Sequence, residues 1–211
     1  MPASPHRPEV WVITGGIATG KSTAGAILRA RLPEAAWFDA DCSVAELLAT
    51  VEIAEILRAA FGTPIINRSD GTVDRAALRD LIVADSQARG ELEGILHPRV
   101  RQEFAKLLAG CQGSGVRRLI ADVPLFYETG LSYPAHRVVV VAVSAATQRL
   151  RLAARSQSPA AVIEGMLAAQ WPILDKVAKA DAVWWNEGPL EVLRRQIERS
   201  CESWAAPRPP L

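Results

Sequence analysis

Apolar positions along the chain fall into two alternating regimes. Short runs rich in β-branched and other apolar side chains occupy residues 10–14, 35–38, 119–123, 138–143 and 182–185 and predict strands. Between them, apolar residues recur at helical spacing over 23–31, 44–61, 75–84, 92–108, 145–155 and 159–170. Strands alternating with helices predict an α/β fold, a mainly parallel sheet with helices on both faces. The run Val138-Val139-Val140-Val141-Ala142-Val143 shows no polar alternation. A parallel strand covered on both sides has that pattern, which predicts a place in the middle of the sheet.

About eighty residues separate the second strand from the third, far more than a crossover uses, and three of the helical patterns fall within them. This predicts a helical insertion over 43–114. The polar link Ser156-Gln157-Ser158 divides two helical stretches within 146–180, which predicts a helix pair able to act as a mobile lid. The core then comprises 10–42, 115–145 and 181–204, and the proline-rich ends, 1–9 and 205–211, read as frayed tails.

Composition narrows the classes. A chain of 211 residues, 49% of them hydrophobic, is long and apolar enough for one packed domain with an appended part, which excludes a disordered or fibrous protein. With 24 basic against 23 acidic residues there is no extended field of one sign, so neither nucleic acid nor a membrane is expected as a partner. Any anion must be bound locally. Cys42, Cys111 and Cys201 are odd in number and widely spaced, which argues against a disulfide framework or a zinc site and fits a reducing cytoplasm. The first residues lack the apolar run of a signal peptide, and no later stretch is long and apolar enough to span a bilayer, so a cytoplasmic location is expected.

The strongest chemical signal follows the first strand. Gly15-Gly16-Ile17-Ala18-Thr19-Gly20-Lys21-Ser22-Thr23 satisfies G-x-x-x-x-G-K-[ST], with a strand before it and a helical pattern after it. Glycines let the backbone turn tightly so that several N–H groups converge on a phosphate, and the helix N-terminus adds partial positive charge. The expected nucleotide contacts are Gly15, Gly16, Ala18, Thr19, Gly20, Lys21, Ser22 and Thr23. Lys21 would neutralise the β- and γ-phosphates and Ser22 would ligate Mg²⁺. The sheet is therefore expected to be of the P-loop NTPase type. The Asn-Lys-x-Asp with which GTPases read guanine is absent, and the chain is short for a motor domain. A small-molecule kinase using ATP and Mg²⁺ becomes the leading class.

Further candidates sit at strand ends, where open α/β sheets bind ligands. The second strand runs into Asp39-Ala40-Asp41, either of which could orient an acceptor hydroxyl and take its proton, or could cap the next helix. The two point the same way only if the chain stays extended. Asp122, at the end of the third strand before Pro124, could hold Mg²⁺ or cap the turn. His97, before Pro98, reads as structural when taken alone. Arg151 and Arg155 lie one helical turn apart, an ordinary solvated face or a clamp on ATP phosphates.

Several of these segments occur together: the P-loop, Asp39-Ala40-Asp41, Asp70-Gly71-Thr72-Val73-Asp74-Arg75 with Leu78, Leu96-His97-Pro98, the segment 122–130, and Ala168-Ala169-Gln170. In order and spacing, from about Val10 to Gly188, they resemble the dephospho-coenzyme A kinase family. The resemblance implies a nucleotide-binding core, a helical insertion that binds the coenzyme, and a lid. It also implies ATP-dependent phosphorylation of the ribose 3′-hydroxyl of dephospho-coenzyme A, the last step of coenzyme A synthesis. On it, Asp41 is the general base, Lys21 and Arg151 act on the transferred phosphoryl group, and Arg155 and Asn186 meet the nucleotide. Asp39, Arg75, His97 and Pro124 meet the acceptor, and Ser22 and Asp122 hold the metal.

Three departures stand out. Ala45 replaces a basic residue usual in the family, Ser156-Gln157 replaces the usual lid turn, and Trp184-Trp185-Asn186-Glu187-Gly188 replaces Ile-Asp-Asn-Asn-Gly. They leave two alternatives: a P-loop kinase of another small hydroxyl or nucleotide, or a weakly active nucleotide-binding interaction protein with Trp184 and Trp185 as its partner-facing patch.

Overall fold

The computed structural model describes residues 7–130, 133–156 and 158–204. Of the expected tails, 1–6 of the first and all of the second, 205–211, lie outside the described residues, as does Gln157. Where the first tail is described it is not frayed at its end: Glu9 is buried, opens the first strand and pairs with Arg118 and Arg137, each at 3.9 Å.

Strands β1 (Glu9–Gly15), β2 (Ala36–Asp39), β3 (Arg118–Asp122), β4 (Arg137–Ala142) and β5 (Ala182–Trp185) form one sheet in the order β2-β3-β1-β4-β5. β1 pairs in parallel with β3 and with β4, and β4 with β5. The all-apolar run in β4 is thus one place off centre, and β1 takes the middle. Continuous hydrophobicity reports burial on two faces, and β4, paired on both sides, has that burial without the central rank. Val139 and Val141 face one core with Trp11, Ile13, Leu28 and Leu193, whereas Val140 and Ala142 face another with Ile173.

The helices are α1 (Lys21–Arg31), α2 (Ala40–Leu47), α3 (Val51–Phe61), α4 (Arg75–Ala84), α5 (Ser86–Cys111), α6 (Ala145–Ser156), α7 (Ala160–Ala168), α8 (Ile173–Lys179) and α9 (Leu190–Ser203). The single stretch expected over 44–61 is two helices. Its apolar period runs through the break, but Thr50 adopts an extended conformation and its hydroxyl accepts the N–H of Ile53, starting a new helix. α5 begins six residues before the apolar pattern does, because the Asp85 carboxylate caps the N–H groups of Gln87 and Ala88. α7, α8 and α9 each follow a proline at the N-cap, Pro159, Pro172 and Pro189, whose ring presets φ for entry into a helix.

By contacts the chain divides into two compact units, Met1–Phe38 with Leu108–Leu211, and Asp39–Leu107. The first holds the sheet core and α6–α8. The second is helical, with a core of its own around Ile53, Leu57, Leu78, Leu92 and Leu96, and it starts and ends a few residues earlier than the insertion expected over 43–114.

Candidate functional site

β1 ends at Gly15 and α1 starts at Lys21, so the glycine-rich loop is the connection between the central strand and a helix N-terminus. Two of its glycines are required. A Cβ at Gly15 would come within 2.6 Å of the Val141 carbonyl oxygen, and Gly20 sits at φ 87° with a hypothetical Cβ 2.2 Å from the Asn186 amide. Ala18 adopts φ 60°, a conformation a non-glycine residue holds only where its surroundings enforce it.

Those surroundings are a set of hydrogen bonds to the outside of the loop. The Gly15 carbonyl accepts from Lys176 Nζ at 3.0 Å, that of Gly16 from Thr19 Oγ1 at 2.8 Å, and that of Ile17 from Gln148 Nε2 at 2.8 Å. The Ala18 and Thr19 carbonyls share one Arg151 nitrogen at 3.4 and 3.3 Å, and Thr19 also accepts from Asn186 Nδ2 at 2.9 Å. Every carbonyl from Gly15 to Thr19 is therefore satisfied by a side chain. The first intrahelical bond of α1 is Ala24 N–H to Gly20, which leaves the N–H groups from Gly20 to Thr23 without intrahelical partners and no side-chain cap takes them. Carbonyls held by protein and open N–H groups at a helix start make an anion cradle.

Lys21, Ser22 and Thr23 form the first turn of α1. The Lys21 ammonium donates to Asp122 Oδ1. The sheet register puts Asp122 beside Ile13, and its second oxygen lies 3.9 Å from where a Cβ on Gly25 would be, so the carboxylate stands against the start of α1. Next to it, the Thr14 hydroxyl donates to the Pro124 carbonyl at 3.0 Å, tying the turn after β3 to the strand that carries the loop.

On α6 the two expected arginines part company. Arg151 faces the loop, and its other terminal nitrogen donates to the Asn186 carbonyl at 2.7 Å. Arg155 is exposed and, among the described residues, has no hydrogen-bond or ion-pair partner. The start of α6 is held by Glu187, which accepts from the Ser144 N–H and, at 2.6 Å, from the Thr147 hydroxyl. The Thr147 bond first, then the Ser144 bonds, hold the Glu187 carboxyl below its ordinary range. Arg149 and Glu164 join α6 to α7 through a bidentate pair at 2.6 and 2.9 Å, which raises the arginine and lowers the glutamate.

A family model for dephospho-CoA kinase matches residues 10–191. The chain belongs to the dephospho-CoA kinase family. A dephospho-CoA kinase of Symbiobacterium thermophilum is 40% identical over 187 residues, which cover 88% of this chain and 77% of its own. One from Anaeromyxobacter dehalogenans is 41% identical, with 89% and 88% covered. A crystal structure of a protein from Thermus thermophilus superimposes with a TM-score of 0.79 at 27% identity, over 95% of this chain and all of that one. Membership makes this chain a phosphotransferase, and a kinase draws on ATP.

Asp39, Asp41, Arg75 and His97 belong to the helical unit. Asp39 ends β2 and is the N-cap of α2, its Oδ1 accepting the Cys42 N–H at 2.9 Å. Because α2 begins at Ala40, the chain is not extended between Asp39 and Asp41, and the alternation that would align them does not apply. Asp41 lies in the first turn of α2 and is exposed. Arg75, at the start of α4, donates to the Ala45 carbonyl at 2.7 Å, which brings its guanidinium beside the backbone of that position. His97 is half-buried on α5, beside Pro98 inside that helix. Trp184 is 1% exposed, donates to Ser200 and belongs to the core, so it cannot serve the partner-facing patch of the interaction-protein alternative.

The sequence reading missed Gln148, Lys176 and Glu128. Lys176 is fully buried and paired with Glu128 at 2.6 Å while it holds the Gly15 carbonyl. Glu128 and Gln170 lay within motifs that carried the family resemblance. Nothing local marks Gln148 or Lys176, whose roles follow only from the folding of α6 and α8 against the loop.

Proposed function

We propose that the chain transfers the γ-phosphate of ATP to the ribose 3′-hydroxyl of dephospho-coenzyme A, releasing ADP and coenzyme A. The observation that carries the phosphate half of this reading is the loop in which every carbonyl from Gly15 to Thr19 is held by a side chain beside a helix N-terminus. Such a loop offers N–H groups to phosphate oxygens without reorganisation. Family membership supports the acceptor. Lys21 lies on the same turn and supplies a point charge to the β- and γ-phosphates.

The donor set fits Mg²⁺. Ser22 offers a hydroxyl and Asp122 a carboxylate, both hard oxygens, and among the described residues no group of three acidic, histidine or cysteine side chains could hold a metal ion unaided. The ion would arrive with the nucleotide, held by Ser22 and Asp122, and would neutralise charge on the phosphates.

Transfer forms a bond from the acceptor oxygen to phosphorus and breaks the bond from phosphorus to the β-phosphate oxygen. The acceptor proton passes to a carboxylate, which we assign to Asp41. Arg75, held on the Ala45 carbonyl, supplies the cation expected near that position, and Asp39 and His97 complete the acceptor-binding set. Pro124 is assigned to the acceptor, and Asn186 and Arg155 to the nucleotide.

An ADP-release assay tests the whole reading. Dephospho-coenzyme A is expected to be the preferred acceptor over a panel of other hydroxyl compounds and nucleotides, and EDTA is expected to stop the reaction. Equal turnover with another acceptor would replace the substrate assignment.

Arg151 carries a separate prediction. Three of its five guanidinium donors go to the carbonyls of Ala18, Thr19 and Asn186, which leaves two for developing phosphoryl charge. Arg151→Ala is expected to lower kcat by roughly 10²-fold and to raise KM for ATP less than that. An effect confined to KM would reduce Arg151 to support of the loop.

A further inference from the structure

Ile17 is held by two glutamines in opposite senses. Its N–H donates to Gln170 Oε1 at 2.8 Å, and its carbonyl accepts from Gln148 Nε2 at 2.8 Å. The orientation of each side-chain amide is forced, because a backbone N–H needs an oxygen and a backbone carbonyl needs an N–H. In a planar trans peptide the N–H points away from the C=O. Holding the Ile17 carbonyl on Gln148 therefore aims the Ala18 N–H the opposite way. Holding the Ile17 N–H on Gln170 turns the Gly16 carbonyl away from Gln170, and Thr19 Oγ1 meets it.

Both glutamines are themselves anchored. Gln148 is 5% exposed on α6, whose first turn is pinned by Glu187. Gln170 precedes Trp171, whose N–H donates to Glu128 at 3.0 Å, the carboxylate that also pairs with buried Lys176.

We propose that Gln148 and Gln170 are paired positioning residues that set the peptide planes on either side of Ile17: Gln148 aims the Ala18 N–H toward the phosphates, and Gln170 turns the Gly16 carbonyl onto the Thr19 hydroxyl, where it is neutralised. This rests on the reading of the loop as the ATP site. Without the Gln148 donor, the Ile17 carbonyl loses its outside partner and can turn inward. An inward peptide would present the negative end of its dipole to an anion. Because Gln148 shares α6 with Arg151, and Gln170 lies between α7 and α8, the same two bonds tie the conformation of the loop to the lid helices.

The hydrogen-bond sense provides the test. Gln148→Glu and Gln170→Glu each add one negative charge at nearly constant shape, but the first destroys the donor that Ile17 needs and the second keeps the acceptor. ATP binding in the presence of Mg²⁺, measured by calorimetry on the full chain, is expected to weaken by roughly 10- to 100-fold in Gln148→Glu, and about fivefold less than that in Gln170→Glu. KM for dephospho-coenzyme A should change far less than KM for ATP in both. Gln148→Met, isosteric and uncharged, decides the matter if Gln148→Glu does not fold. Equal losses in the two glutamate variants, or no loss in a folded Gln148→Met, would overturn the proposal. Wild-type protein that binds no ATP would overturn the reading of the site and the proposal with it, whereas normal wild-type turnover with equal variants would sink the proposal alone.

Discussion

Replacing Lys21 with methionine is expected to lower kcat by at least roughly 10²–10³-fold, the loss that follows removal of one preorganised group from developing charge in a transition state. The ammonium at this position does no packing. It lies on the first residue of α1 and its contact is the carboxylate of Asp122. Methionine keeps most of the aliphatic stem and removes the charge alone. The substitution leaves Asp122 without its partner, so some loss of stability accompanies it, and Lys21→Met combined with Asp122→Asn separates the two effects. The double variant should regain thermal stability and none of the turnover. Circular dichroism establishes folding, and ADP release with dephospho-coenzyme A measures rate. Near-normal turnover in a folded Lys21→Met protein would remove the loop lysine from the mechanism.

Much of the sheet was legible because its signal is local and redundant. β1, β3 and β4 are continuous apolar runs bounded by turn residues, and each lies within one or two residues of its expected place. The P-loop was legible for a different reason: Gly15 and Gly20 are fixed by a close approach to the Val141 carbonyl and by a left-handed φ of 87°, so the spacing stands in the sequence as a motif. Helix boundaries were less so. The break at Thr50 depends on a cap that competes with an uninterrupted apolar period, and α8 has only seven residues after Pro172. The hydrogen bonds behind the loop were hidden altogether. Gln148 and Lys176 are separated from the residues they hold by 131 and 161 positions, and a buried glutamine or lysine carries no sign of its partner until α6 and α8 are in place. The arginines illustrate the same point. Helical spacing put Arg151 and Arg155 on one face, yet only Arg151 reaches the loop, because tertiary packing and not periodicity sets how far a face extends.

The structure also separates the two carboxylates at the end of β2, and it does so through capping. One oxygen of Asp39 is committed to the Cys42 N–H as the N-cap of α2, whereas Asp41 falls in the first turn, where the helix N-terminus favours an anionic side chain. Asparagine caps helices about as well as aspartate, so Asp39→Asn should preserve α2 and leave stability nearly unchanged. Its expected effect is on acceptor KM. Asp41→Asn keeps shape and a hydrogen-bond acceptor but abolishes basicity. If Asp41 takes the proton of the acceptor hydroxyl, kcat should fall by roughly 10²–10⁴ with ATP binding scarcely altered. Measuring both variants across a range of Mg²⁺ concentrations distinguishes a base from a metal-positioning group, since loss of a metal contact is recovered at high Mg²⁺ and loss of a base is not. A larger kcat loss in Asp39→Asn, or rescue of Asp41→Asn by Mg²⁺, would transfer the proton-accepting role away from Asp41.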